Sequence, residues 1–360
     1  VRRKKAIFLG KDLNAMKNQV AYLIEPKKLE IRNSKIPELG KDDVLVEVKH
    51  VGVCGADVHN FLDPTNGGKR NVKFPVVLGH EAAGIVVKTG ENVTNVSTGD
   101  KVALEPTVPC YKCQFCLEGR YNLCPNVDMI GIWPWNRGAF QTYLTHPANL
   151  CFKLPKGVST LEGALIEPLS VGLHAVRRSG ATLGSTVLIV GVGCIGLMTL
   201  LACKAMGVKN IIAADLFENR LQTALKFGAT AAINTKNTDL VQELMNITAN
   251  DGADVVFETA GNSATAALTP YLVARGGKIV LVGNVRGSTN YDFNSIILKE
   301  VDILTVFRYR NIYKIGLEVM AGGVMDVKSI VSMFPFQDIQ QAFENALANK
   351  DTIVKAMVEV

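Results

Sequence analysis

Two textures of apolar and polar positions divide the chain. From Val20 to about Gly157, short apolar runs alternate with polar residues and are punctuated by Gly and Pro. Val44-Leu45-Val46-Glu47-Val48-Lys49-His50-Val51 alternates as a half-buried strand does, and Ala83-Gly84-Ile85-Val86-Val87 and Lys101-Val102-Ala103-Leu104 read similarly. This half is predicted to be an irregular, mostly antiparallel β-domain. From Val187 the texture changes to six apolar runs, at 187–190, 211–214, 231–233, 254–257, 278–282 and 303–306. Helix-length segments separate most of them, which predicts an α/β fold with a doubly wound parallel sheet. The expected organisation is a first domain over residues 16–168 and 308–360, a second over 169–307 inserted into it, and a cleft between them.

Composition adds exclusions. A length of 360 residues suits roughly two domains. The most apolar stretch, 187–206, is broken by Gly191, Gly193 and Gly196 and carries Lys204, short of the roughly 20 apolar residues that span a bilayer. No membrane partner is expected. The net charge of +6 comes without a basic stripe interleaved with aromatics, so no nucleic acid is expected either. The start, Val1-Arg2-Arg3-Lys4-Lys5-Ala6-Ile7-Phe8-Leu9, is basic, but its apolar stretch is too short for a secretory signal. Residues 1–15 read as an upstream extension, poorly ordered and dispensable for activity. Of eight cysteines, four sit at metal-site spacing, so a cytoplasmic chain with reduced thiols is expected.

The second texture opens on Gly191-Val192-Gly193-Cys194-Ile195-Gly196. A lone G-x-G-x-x-G says little. This one follows a buried apolar run, opens a helical pattern and has Asp215 at the end of the next run, nineteen residues past Gly196. The glycines allow a tight turn and bring a pyrophosphate to free N–H groups at the helix start. Asp215 is suited to a ribose 2′-hydroxyl and repels a 2′-phosphate, and Leu216 beside it brings no positive charge. The expected cofactor is NAD.

Cys110, Cys113, Cys116 and Cys124, spaced x2, x2 and x7, are read as a closed structural zinc site in a lobe over about 106–126. An iron–sulfur cluster or free thiols are the alternatives, although the x7 gap does not fit the bacterial ferredoxin run. Cys54, His80 and Glu81 together offer a thiolate, an imidazole and a carboxylate, a three-ligand set that leaves one zinc position open, as a catalytic metal needs. Glu167 is a carboxylate in the apolar stretch Ile166-Glu167-Pro168-Leu169, costly unless paired or liganded. A helix cap is its alternative. Asp57 and His59 are either partners of the metal ligands or ordinary loop polars.

On these segments, on Glu167-Pro168-Leu169-Ser170-Val171-Gly172-Leu173-His174 and on Val306-Phe307-Arg308-Tyr309, the chain from about Met16 onward resembles the zinc-containing medium-chain dehydrogenases, nearest the sorbitol (L-iditol) and related polyol dehydrogenases. The resemblance implies a GroES-like catalytic domain beside a Rossmann domain, and oxidation of a polyol by NAD with one catalytic and one structural zinc. It implies that Cys54, His80 and Glu81 hold the catalytic zinc, and that Glu167 ligates it directly or through water. Arg308 and Tyr309 would face substrate, and the proton would leave by water or by way of His59 or Glu167. Arg220, Val282 and Gly283 join the fingerprint as cofactor residues, and a dimer or tetramer is expected.

The sequence departs from the polyol pattern in three places. Ala56 stands where relatives carry a serine that passes the proton outward. Asn60 and Phe61 replace the aromatic after the relatives' histidine, in the substrate region. The loop over 128–136, with Trp133 and Trp135, is more apolar. A smaller secondary alcohol, threonine or a polyol phosphate is the alternative substrate, and a non-catalytic zinc- and nucleotide-binding protein the remote one.

Overall fold

The chain of the computed structural model forms two units. One unit runs to Glu167 and resumes over Val327–Val360, and the other is Pro168–Asp326. The structure describes residues 17–132, 135, 137–323 and 326–360. The extension read over residues 1–15, and Trp133, Pro134 and Asn136 of the apolar loop, lie outside the described residues.

In the first unit, β1 (Asn18–Glu25) pairs antiparallel with β2 (Lys28–Ser34). β3 (Asp43–Gly52) leads into α1 (Gly55–Leu62), then β4 (Val76–Val77), β5 (Glu81–Thr89) and β6 (Lys101–Leu104). β7 (Thr107–Val108), α2 (Gln114–Leu117) and β8 (Asp128–Met129) frame the cysteine lobe, and β9 (Tyr143–Pro147) and β10 (Cys151–Lys153) follow. α3 (Thr160–Ser179) contains the division between the units. After the second unit the chain completes the first with β17 (Val331–Pro335), α10 (Ile339–Ala348) and β18 (Lys355–Glu359), numbered past the six strands below.

The main sheet of this unit runs β10-β6-β5-β3-β18-β17, with β9 also on β3. β3 is flanked on both sides, so its alternation is filled in and few of its residues meet solvent. Its last residue, Gly52, lies opposite Glu81 at the start of β5 and opposite Met357 on β18. Three strands far apart in sequence thus converge on one point. The core is filled by residues such as Val46, Leu104 and Phe140. Phe343 of α10 sits 5.1 Å from the Phe61 ring and 5.5 Å from Phe140.

The second unit alternates strand and helix: β11 (Thr186–Val190), α4 (Cys194–Ala205), β12 (Asn210–Asp215), α5 (Glu218–Lys226), β13 (Ala231–Asn234) and α6 (Leu240–Ile247) form its first half. β14 (Ala253–Glu258), α7 (Ser263–Leu272), β15 (Val273–Leu281), α8 (Phe293–Lys299), β16 (Asp302–Thr305) and α9 (Tyr313–Ala321) form its second. All six strands are parallel, in the order β13-β12-β11-β14-β15-β16. The order reverses between β11 and β14, and ligands of such sheets bind beyond the strand ends at that reversal. The predicted doubly wound sheet and β-rich partner are both present. The second unit reaches Asp326, whereas the return was expected from residue 308. α9 stays with the second unit and buries Tyr313, Leu317 and Met320, an apolar face that by itself does not say which core it serves.

Candidate active site

Cys54 is the residue before α1, in extended conformation, so its thiol projects where β3 ends. Three residues on, Asp57 is fully buried. Its carboxylate accepts the Cys54 N–H at 3.0 Å and the Gly79 N–H at 3.1 Å, and its Oδ1 lies 3.4 Å from His80 Nδ1. One carboxylate therefore fixes both chain segments that carry the first two candidate ligands. It also favours the imidazole with a proton on Nδ1, leaving Nε2 as a donor to a metal. Gly79, at φ +93°, turns the chain into His80, and a Cβ there would meet the Phe140 ring at 2.6 Å.

Glu81 follows on β5, 1% exposed. A side chain at Gly52, its cross-strand neighbour, would overlap its carboxylate. Lys355 of β18, also buried, forms an ion pair with Glu81 Oε2 and donates to the Val53 carbonyl at 3.2 Å. The ammonium offsets part of the buried negative charge that Glu81 brings to the site. Candidate ligand atoms of Cys54, His80 and Glu81 lie within 4.8 Å of one another. A tetrahedral zinc with bonds of about 2.0–2.3 Å needs donors about 3.3–3.8 Å apart. Thiolate, imidazole and carboxylate are all zinc donors, so the set fits the ion.

Glu167 does not join that group among the described residues. It is buried in the interior of α3, which removes the cap alternative. The acid at the helix start is Glu162, whose carboxylate accepts from the Ser159 N–H at 2.8 Å and the Ser159 hydroxyl at 2.6 Å. Glu105 is a further buried carboxylate, which burial pushes up to about 7 against a 2.7 Å hydrogen bond from the Tyr121 hydroxyl, with the charge of Glu167 adding to the rise. His59 is exposed on the last turn of α1, and Asn60 is buried. Phe61, read as facing substrate, is instead a core residue, 2% exposed and packed on Phe343. Its spacing on α1 turns it inward.

The second cysteine group is separate. Cys113 and Cys116 sulfurs lie 3.4 Å apart, those of Cys110 and Cys116 4.0 Å, and the Cys110 N–H points to Cys124 Sγ at 3.4 Å. All four candidate atoms lie within 4.8 Å, with no disulfide. These separations bracket the roughly 3.8 Å between sulfurs on a four-thiolate zinc. Four thiolates leave no open position, so the lobe is suited to holding structure.

In the second unit Gly191 has φ +91°, and a Cβ on it would strike Ala260 at 2.7 Å. A Cβ on Gly196 would run into the Gly191 carbonyl, whereas one on Gly193 would meet only the Arg220 guanidinium, at an ordinary contact of 3.5 Å. Cys194 and Ile195 form the first turn of α4. A cavity of about 530 Å³ beside the loop is lined by Gly191, Gly193, Asp215, Arg220 and Thr259 among others. Asp215 accepts from the Val192 N–H at 2.8 Å and the Phe217 N–H at 3.0 Å, which locks its carboxylate at the cavity wall. Arg220 approaches it at 3.7 Å and lies 4.9 Å over the Phe217 ring. Val282 and Gly283 donate their N–H groups to the Glu258 carbonyl, at the end of β15. Arg308, at φ +55°, lies over the Phe307 ring at 4.6 Å, and Tyr309 is buried with its ring 5.6 Å from Tyr313.

The sequence reading missed Lys355 and left Asp57 undecided. A lysine inside Ile353-Val354-Lys355-Ala356-Met357-Val358 was the available signal, because a charge in a buried strand needs a partner.

Comparison with known proteins agrees with this geometry. Residues 40–156 match the alcohol dehydrogenase GroES-like domain family, and residues 194–322 match the zinc-binding dehydrogenase family. The chain is 40% identical over 344 residues to the sorbitol dehydrogenase of Bacillus subtilis, covering 94% of this chain and 96% of that one. A crystal structure of an Escherichia coli oxidoreductase/dehydrogenase of unknown specificity superposes with a TM-score of 0.93 at 44% identity, over 96% of this chain and 99% of that one. The 2R,3R-butanediol dehydrogenase of Bacillus subtilis gives 0.86 at 30% identity, over 95% and 99%. With a zinc-binding donor set, a thiolate lobe and a dinucleotide loop in place, the chain belongs to the zinc-containing medium-chain alcohol dehydrogenases, NAD-dependent oxidoreductases close to the polyol dehydrogenases.

Proposed function

We propose that the chain oxidises a secondary hydroxyl of a polyol of the sorbitol or xylitol type to the ketose, with NAD reduced to NADH and one proton released. The observation that carries this reading is the open-sided Cys54–His80–Glu81 set in a chain 40% identical to a sorbitol dehydrogenase. When bound, zinc polarises the hydroxyl and NAD takes up the hydride. Asp57 orients His80, and Lys355 neutralises one oxygen of Glu81 and so tempers the charge at the site. Asp215 selects the unphosphorylated ribose. Glu167 acts on the metal directly or through a water, and because Ala56 carries no hydroxyl, the proton leaves by water, His59 or Glu167. Arg308, Tyr309 and Asn60 are the residues assigned to substrate, and Val282 and Gly283 complete the cofactor set. A dimer or tetramer in the cytoplasm is part of the same proposal; among the described residues no helix is long and apolar enough to cross a membrane.

A second reading is favoured by the 30% identity to a butanediol dehydrogenase: a smaller, less polar secondary alcohol. Initial rates of NAD reduction with sorbitol, xylitol, galactitol, polyol phosphates, threonine, butanediol and simple alcohols, with and without a zinc chelator, separate the two. Chelator-sensitive turnover of a polyol supports the first. Turnover of butanediol or threonine alone rejects the polyol and keeps the zinc chemistry.

A further inference from the structure

Away from the zinc ligands, the first unit holds another cavity of about 380 Å³. That is within the roughly 300–1,000 Å³ of small-molecule clefts. Tyr22, Ser34, Lys35, Trp135, Arg137 and Thr145 line it. None of them belongs to the candidate metal set or the cysteine lobe.

Its floor is rigid. Asn18, 1% exposed, donates to Gln141 Oε1 at 2.8 Å and accepts the Tyr143 N–H at 2.9 Å, while Gln141 donates to the Gly138 carbonyl at 2.6 Å. The walls, by contrast, hold unused polar groups. Among the described residues the hydroxyls of Tyr22, Ser34 and Thr145 have no hydrogen-bond partner and Lys35 has no ion pair. Arg137 donates to the Thr145 carbonyl at 3.1 Å and stands 3.8 Å from Asp128, with further N–H groups to spare. No carboxylate lines the cavity among the described residues.

Trp135 supplies an independent signal. It has φ +60°, a left-handed conformation that is a genuine outlier for a bulky residue. Arg70 lies 5.7 Å over its ring. Strained residues of this kind persist where the surroundings over-determine them, and they cluster at ligand sites. Two cations, three free hydroxyls and two aromatic side chains match a ligand with one anionic group and a hydroxylated chain whose C–H faces pack on rings.

We propose that this cavity is a second small-molecule site, one that binds a polyhydroxylated carboxylate of the sugar-acid class. It requires neither the metal nor the cofactor and stands apart from the choice of oxidised alcohol. The test is calorimetric titration of gluconate into the zinc-loaded protein saturated with NADH, so that sorbitol can bind without being oxidised, in the presence of excess sorbitol. One gluconate site is expected, undisturbed by sorbitol. In Lys35→Met its affinity should fall about tenfold or more, the loss of one charge-assisted contact. In the same variant NAD affinity, thermal midpoint and initial rates should match wild type, since Lys35 is an exposed side chain outside the reaction machinery. Tyr22→Phe, which keeps the ring and removes a free hydroxyl, should weaken gluconate by a smaller factor. Absence of gluconate binding overturns the proposal, as does equal affinity in Lys35→Met or displacement by sorbitol. Glucose 6-phosphate binding more tightly than gluconate, with the same loss in Lys35→Met, overturns the carboxylate assignment in favour of a phosphate.

Discussion

Asp57→Asn tests whether the metal site is organised from beneath. The wild-type carboxylate takes two backbone N–H groups, from Cys54 and Gly79, on different oxygens, with His80 Nδ1 3.4 Å from one of them. An asparagine has one carbonyl oxygen, so one of those N–H groups must face an amide NH2. Leaving a buried donor unsatisfied costs about 1–3 kcal/mol. The anion that balances a protonated Nδ1 is lost as well, and removal of such a partner typically lowers metal affinity or activity about 10–100-fold. A loss of that size in kcat/KM equals about 1.4–2.7 kcal/mol. The variant should therefore bind the catalytic zinc about 10–100-fold more weakly in competition with a chelator and lose kcat/KM in parallel. Its NAD affinity should stay within twofold of wild type, about the scatter expected of a distant substitution. Excess zinc should restore part of the activity. If zinc affinity and kcat/KM both match wild type, Asp57 is a loop brace and the orienting role is wrong.

Three other perturbations probe separate parts of the chain. Cys54→Ser or His80→Ala should abolish turnover while the protein still quenches or enhances NADH fluorescence as wild type does; retained turnover would refute the zinc assignment. Asp215→Ala should erode the preference for NAD over NADP, measured as the ratio of the two kcat/KM values, and an unchanged ratio would reject Asp215 as the selector. For Glu105, the folded carboxyl is raised to about 7 by burial, so the native state holds a proton that the unfolded chain releases near its ordinary value of 4.5. A group raised in this way destabilises the fold progressively as pH climbs from about 4.5 to about 7. Glu105→Gln, which keeps an acceptor for the Tyr121 hydroxyl, should therefore gain thermal stability relative to wild type between pH 5 and pH 8. A difference in Tm that stays flat with pH would show that Glu105 does not titrate in that window.

What could be read from the sequence, and what could not, follows from how far apart the interacting residues lie. The six parallel strands were visible because each is a short apolar run with its own helix behind it, and in central strands such as β11 and β14 burial on both faces writes itself into consecutive residues. The glycine loop and the four cysteines were visible because their geometry is local: a turn, a helix start and a lobe of fifteen residues from Cys110 to Cys124. Cys54, His80 and Glu81 could be grouped by chemistry. Their convergence, however, depends on the register that sets Gly52 opposite Glu81, and no spacing rule supplies that register.

Lys355 marks the limit most sharply. It stands 274 residues from Glu81, and they meet because β18, which opens at Lys355, lies against β3 on one side while β5 lies on the other. A buried lysine announces that a partner exists, since an unpaired ammonium in a core would lose its charge or unfold the site. It does not announce which of 33 acidic residues the partner is. The same reasoning explains the reversal at Phe61. An aromatic beside the candidate ligands looked like a substrate wall, but α10, some 280 residues later, supplies the Phe343 ring that claims it for the core. The C-terminal segment from Val327 is therefore part of the architecture of the candidate site: it pairs with Glu81 through β18 and packs the back of α1 through α10. Substitutions there, remote in sequence from every candidate ligand, belong among the perturbations that test the proposed zinc site.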